Sequence, residues 1–225
     1  AMAFARPQWD ISLYINTDAS SLIGSDTFEN GEVKLRKGPI LNCAVKGGFG
    51  VLDEINMAKN ESLAVLHAVL DFRRTIDLPG YDRINLHEAT RFIGTMNYGY
   101  AGTREMNEAL ASRFMVLHMP VISAENLQKL IKDKYPTLKP EYISQFATLF
   151  DEIRKKCEGG EISTRSLDLR GLISCIGMMK KGLGVTKALE MGLINKCFDE
   201  YERQLVLDIV SARLPESLLG ESIFS

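Results

Sequence analysis

The sequence predicts an α/β fold that passes into an all-helical part. Three observations carry this reading. Short apolar runs at 49–52, 91–97 and 114–119 stop abruptly at polar or turn residues, which is the pattern of buried strands. Between them lie stretches with apolar residues three and four apart, the spacing of one helix face. After Pro120 the strand-like runs cease and helical spacing continues through the remaining residues. The boundary falls near Val121, dividing an α/β part (1–121) from a helical part (122–225).

Residues 11–15 alternate apolar and polar side chains and read as the first strand, closed by Asn16-Thr17-Asp18. Glu29-Asn30-Gly31 turns the chain ahead of an alternating piece at 32–37, and Asn-Gly between extended pieces marks a hairpin. Pro39 suits the first position of a helix over 40–46, because its missing N–H would find no partner there anyway. The run 49–52 is the next strand. Residues 57–72 read as one helix, with Leu63, Leu66, Val69 and Leu70 on a shared face. Residues 75–78 and 83–87 flank Pro79-Gly80, a second hairpin candidate. A strand at 91–97, a short helix at 105–111 and a strand at 114–119 complete this part. Helices are then expected at 123–135, 139–157, 163–181, 185–195 and 198–213. Ser123 caps the first of these, and Ser163-Thr164 opens the third.

With 225 residues, 45% hydrophobic and 25% charged, the chain can bury a core in one domain or two small ones. A net charge of −2 and a pI of about 6.0 leave no global basic field that would point to nucleic acid or a membrane surface. Cys43, Cys157, Cys175 and Cys197 are scattered, without a C-x-x-C pair. That argues against a zinc site or disulfide framework and places the chain in a reducing cytosol. No apolar run approaches the roughly 20 residues that span a bilayer. His67, His87 and His118 lack metal-ligand spacing, and Trp9 reads as a packing anchor.

The stretch that carries chemistry is Gly50-Val51-Leu52-Asp53-Glu54-Ile55-Asn56, where a buried strand ends in two adjacent carboxylates. Open α/β sheets bind their ligands at the carboxyl ends of strands. An aspartate there can hold Mg²⁺ through oxygen, and the neighbouring glutamate can orient a water. An acidic surface turn is the competing reading of this stretch alone. Three later residues extend the set: Asn97 in Gly94-Thr95-Met96-Asn97, Arg113 in Leu110-Ala111-Ser112-Arg113-Phe114, and Arg165 in Ser163-Thr164-Arg165. Each alone reads blandly, as a turn asparagine, a solvated arginine or a local ion pair. Their order and spacing together are far harder to obtain by chance.

This combination resembles an AAA+ ATPase of the MoxR-like and dynein-related group. Leu22-Ile23-Gly24-Ser25 and Gly38-Pro39-Ile40 fit the same pattern, which spans about residues 12–180. The resemblance implies a P-loop NTPase core, a parallel sheet with flanking helices, followed by a small all-α lid. It implies that Asp53 is the Walker B aspartate organising Mg²⁺ and that Glu54 polarises the attacking water. It likewise implies that Asn97 is sensor 1, Arg113 an arginine finger reaching a neighbouring subunit, and Arg165 sensor 2, contacting phosphate from the lid. ATP with Mg²⁺ is the implied ligand. A finger acting in trans implies a homo-oligomeric ring, expected to be a hexamer. A protein client is implied, with a von Willebrand factor A-type partner as in relatives that assemble or activate metalloenzymes. The two hairpins resemble elements that line or cap such rings.

The chain contains no G-x-x-x-x-G-K-[ST], the loop whose backbone N–H groups and lysine cradle phosphates. Gly47-Gly48-Phe49-Gly50 lacks the lysine, and Gly182-Leu183-Gly184-Val185-Thr186-Lys187 has its residues in the wrong order. The core is therefore expected to be incomplete at its N-terminal side, with a sheet edge that another chain covers and little hydrolysis by this polypeptide alone. A non-catalytic scaffold derived from an AAA+ core is the alternative. A nucleic-acid enzyme of the McrB kind is a weaker third, since no basic patch supports it.

Overall fold

The computed structural model describes residues 1–97 and 105–225. The chain divides into two units, Ala1–His118 and Met119–Ser225. The first unit is built on a three-stranded sheet of β1 (Gln8–Ser12), β4 (Gly48–Asp53) and β7 (Thr90–Gly94), in the order β1-β4-β7 and parallel throughout. Parallel neighbours require crossovers, and helices supply them here. Asp18 caps α1 (Ala19–Ile23) by accepting the Ser21 N–H at 2.7 Å. The hairpin of β2 (Gly24–Glu29) and β3 (Glu32–Lys37) follows, and α2 (Pro39–Lys46) starts on its proline. The hairpin turns on Asn30 and Gly31, both at positive φ (54° and 83°), the conformation that Asn-Gly accepts most readily.

The first strand lies about three residues earlier than its alternation suggested. Gln8 to Ser12 pair with Phe49 to Asp53, whereas Tyr14 and Thr17 close a turn in which the Thr17 N–H donates to the Tyr14 carbonyl at 2.9 Å. The expected helix over 57–72 is broken. A 3₁₀ turn, Ile55–Met57, precedes two short helices, α3 (Asn60–Leu63) and α4 (Leu66–Leu70). The link is wound tightly: the Ala64 N–H donates to the Glu61 carbonyl, and the His67 N–H to that of Ala64. Leu63, Leu66 and Val69 are buried and recur every third residue, so three-residue winding keeps them on one side. The second hairpin pairs only β5 (Thr75–Ile76) with β6 (Ile84–Asn85). The Tyr81 hydroxyl donates to Asp26 at 2.5 Å and ties this loop to the first hairpin.

After β7, α5 (Glu108–Ala111) is capped by Asn107, which accepts the Ala109 N–H at 2.8 Å. The strand expected at 114–119 does not form. Residues 115–123 adopt no regular structure, and among the described residues their backbone pairs with no strand. Met115, Leu117 and Met119 are instead 95%, 83% and 83% exposed. The core of this unit gathers Leu22, Ile40, Leu41, Leu52 and Leu66 between the sheet and its helices.

The second unit is helical: α6 (Ala124–Lys134), α7 (Pro140–Glu158), α8 (Leu169–Met179), α9 (Val185–Gly192) and α10 (Glu200–Ser211). Ser123 caps α6, as expected from sequence. The helix expected from 163 starts six residues later. The Ser163 N–H and hydroxyl both donate to Glu202 on α10, at 2.9 and 2.8 Å, which draws 163–167 into a turn. Helices α8 and α9 approach closely at Gly192, where a Cβ would stand 2.1 Å from the Cys175 Sγ. Ile143, Phe146, Phe150 and Ile153 form the buried stripe of α7, with Phe146 at 0% exposure. Phe146→Ala is expected to cost about 3–5 kcal/mol in the unfolding of this unit, the usual range for removing a buried ring. A urea titration followed by far-ultraviolet circular dichroism measures it, and a loss under ~1 kcal/mol would contradict this packing.

Candidate active site

The carboxyl edge of the parallel sheet is the place to look, and register decides what lies there. Ser12 pairs with Asp53, and Leu52 pairs with Gly94. Asp53 therefore ends the central strand beside Thr95, the residue that follows β7. The Thr95 N–H donates to the Leu52 carbonyl at 3.0 Å, and the Leu13 N–H to the Asp53 carbonyl at 2.8 Å, so the main chain is held from both sides. Glu54 then departs from the sheet in a left-handed conformation, φ 56° and ψ 46°. For a residue with a Cβ this costs roughly 1–3 kcal/mol and persists only where neighbours impose it. The neighbour is Thr95: its hydroxyl accepts the Glu54 N–H at 3.2 Å and donates to Asp53 Oδ1. The Ile55 N–H donates to the Thr95 carbonyl at 2.9 Å.

Asn97 lies on the same segment, exposed. Its carbonyl accepts from Asn56 Nδ2 at 2.9 Å. Asn56 is only 5% exposed, and its Oδ1 is buried without a protein partner. Asp53, Glu54 and Asn97 thus share one corner, with the acid pair facing solvent. Sequence reasoning gave no role to Thr95 or Asn56. Their only signal was position, Thr95 two residues ahead of Asn97 and Asn56 two after Glu54.

Arg113 follows α5 in the same unit, with its guanidinium turned inward. Nη1 donates to the Ala109 carbonyl, Nη2 stands 3.6 Å from Asp71 Oδ2, and Nε is buried without a partner. Asp71 is held mainly by Arg73, which donates from Nη2 at 2.7 Å and from its backbone N–H at 3.0 Å. Those bonds hold the Asp71 carboxyl down at about 2; Arg113 contributes least and partial burial opposes. Arg165 belongs to the second unit. It lies in the turn before α8, not in a helical first turn, and its guanidinium stacks 4.9 Å over the ring of Phe198.

The corner suits a magnesium nucleotide. Mg²⁺ keeps several waters and takes one or two carboxylates plus substrate phosphates, not an all-protein cage. Asp53 offers such a carboxylate, with Oδ1 engaged by Thr95 and the group exposed. Among the described residues no group of three His, Cys, Asp or Glu side chains could hold a metal by itself.

Residues 1–114 match the model of the AAA domain, dynein-related subfamily. The chain belongs to this family. Its relatives include the uncharacterized protein YojN of Bacillus subtilis, 29% identical over 211 residues that cover 92% of this chain and 69% of that protein. The uncharacterized protein SSP1341 of Staphylococcus saprophyticus is 32% identical, covering 91% of this chain and 80% of its own. Among solved structures, NtrX from Brucella abortus aligns at a TM-score of 0.45 with 16% identity, covering 98% of this chain and 43% of that one. Membership makes the first unit an AAA core, and Asp53 and Glu54 stand at the end of its central strand. No described helix is long and apolar enough to cross a membrane.

Because Asp71 is depressed relative to an ordinary aspartate near 3.9, its contribution to stability is complete above about pH 4 and is lost as pH falls toward about 2. Asp71→Asn is expected to flatten that acid limb in urea midpoints measured against pH. A carboxyl resonance titrating near 4 would show that Asp71 holds neither arginine.

Proposed function

We propose that the chain is the catalytic core and lid of a MoxR-like AAA+ ATPase that couples ATP hydrolysis to remodelling of a partner protein. The observation that carries this reading is the corner of Asp53, Glu54 and Asn97, held on one end of a parallel sheet by Thr95 and Asn56. Phosphoryl transfer needs little covalent chemistry from the protein; it needs positioned charges and a positioned water. Asp53 would hold Mg²⁺, which when bound neutralises charge on the phosphates. Glu54, directed out of the sheet by its backbone, orients the water and accepts its proton. Asn97 holds that water from the other side. Arg113 and Arg165 serve as phosphate-facing cations, the first supplied to a neighbouring subunit of a homo-oligomeric ring, hexameric by family analogy. Arg113 would have to leave Asp71 to do so, and its unpartnered Nε makes its present seat an incomplete one. The partner we favour is a protein client presented with a von Willebrand factor A-type companion.

A scaffold role is the second reading. It applies to these 225 residues taken alone, which contain no G-x-x-x-x-G-K-[ST] loop. For the same reason the isolated 225-residue polypeptide is expected to bind ATP weakly and hydrolyse little.

The deciding measurement is phosphate release by the intact protein. Glu54→Gln should lower kcat by about 10²–10³-fold, the scale set by losing one positioned catalytic group. ATP binding should persist in that variant, whereas Asp53→Asn should weaken Mg²⁺-dependent binding as well. Unchanged turnover in both would remove the roles given to Asp53 and Glu54, and no turnover in the unsubstituted protein would favour the scaffold.

A further inference from the structure

We infer that Thr95 is the positioning residue of the acid pair, acting on Asp53 and Glu54 through one hydroxyl. The inference rests on the ATPase reading and adds a residue to it. The hydroxyl is used in both directions: it accepts the Glu54 N–H at 3.2 Å and donates to Asp53 Oδ1. The donation fixes the carboxylate's rotation and leaves its other oxygen for a cation. The acceptance holds Glu54 in its left-handed conformation, which turns the second carboxylate away from the strand line. Both partners are 41 or 42 residues away in sequence, so the contact exists only because β4 and β7 are parallel and in this register.

The same segment is tied down a second time, two residues later. Asn56 Nδ2 donates to the Asn97 carbonyl at 2.9 Å from a side chain that is 95% buried, since its exposure is 5%. The 95–97 segment and the acid pair are thus fastened together by the Thr95 hydroxyl, the Thr95 main chain and Asn56. A nucleotide contact felt at Asn97 would reach Asp53 and Glu54 through these hydrogen bonds. Partners that orient a metal's carboxylate ligand typically change affinity or activity by about 10–100-fold when removed.

Two substitutions separate the hydroxyl from the bulk of the side chain. Thr95→Val keeps the shape and deletes both hydrogen bonds, whereas Thr95→Ser keeps the hydroxyl. Thr95 is exposed, so neither change opens a hole in the core. In the intact protein, Thr95→Val is expected to lower kcat and to raise the Mg²⁺ concentration for half-maximal turnover, each by about 10–100-fold, with a smaller change in KM for ATP. Thr95→Ser should restore most of both. A nucleotide-free readout accompanies them: the Glu54 amide should exchange with solvent faster in Thr95→Val and at the native rate in Thr95→Ser. Native turnover and Mg²⁺ requirement in Thr95→Val, with Glu54→Gln inactive, would overturn the inference and leave the ATPase reading standing. An unchanged Glu54 exchange rate in Thr95→Val would overturn it whatever the turnover. Full activity of Glu54→Gln would remove the role given to Glu54 in the ATPase reading, and the catalytic part of this inference with it.

Discussion

The parallel pairing of β4 with β7 is the constraint on which the candidate site depends. Its register, Gly48 with Thr90 through Leu52 with Gly94, sets which residue of the later strand stands beside Asp53. A slip of one position would send alternate side chains to the opposite face and put Gly94 or Met96 there in place of Thr95. The register is enforced by packing. Gly50 faces Phe92 so closely that a Cβ would lie 2.5 Å from the ring, and Leu52 is 1% exposed. Thr90, 1% exposed, donates its hydroxyl to the Cys43 carbonyl at 2.9 Å and fixes the other end of β7 on α2. The candidate corner is thus held from inside the sheet.

Charge is distributed by the same logic. The residues of the candidate site, Asp53, Glu54 and Asn97, are exposed and lightly bonded. Those whose charge is satisfied lie elsewhere: Asp71 with Arg73, and Asp151 with Arg154 and Lys155. The basic run at the end of α7 belongs to this second class, since Arg154 also bonds Glu158 and Lys156 bonds Glu161. Arg113 sits between the classes, half-buried and incompletely satisfied.

Much of the fold was legible because its signals are local. Asn30-Gly31 turned the hairpin, Pro39 started α2, Ser123 capped α6, and the helical stripes of the second half all appeared. The misreadings have a common cause in contacts that no local pattern records. The helix expected from Ser163 was displaced by bonds to Glu202, 39 residues away. The run at 114–119 has strand composition, but a strand is defined by its pairing, and among the described residues this run pairs with none. The helix expected over 57–72 broke into two short helices joined by a tight link, with Leu63, Leu66 and Val69 still buried.

For the site, sequence determined the chemical inventory: two carboxylates at a strand end, an asparagine and two arginines in a fixed order, and the family these imply. Residue type and spacing are properties of the chain itself, so they survive without coordinates. Tertiary structure decided how that inventory is held. Thr95 and Asn56 acquired partners across 41 residues, Glu54 was turned out of line, Arg113 was seated on Asp71, and Arg165 was laid against Phe198. A hydrogen bond between distant residues depends on strand register and backbone direction, and those are fixed only when the core packs.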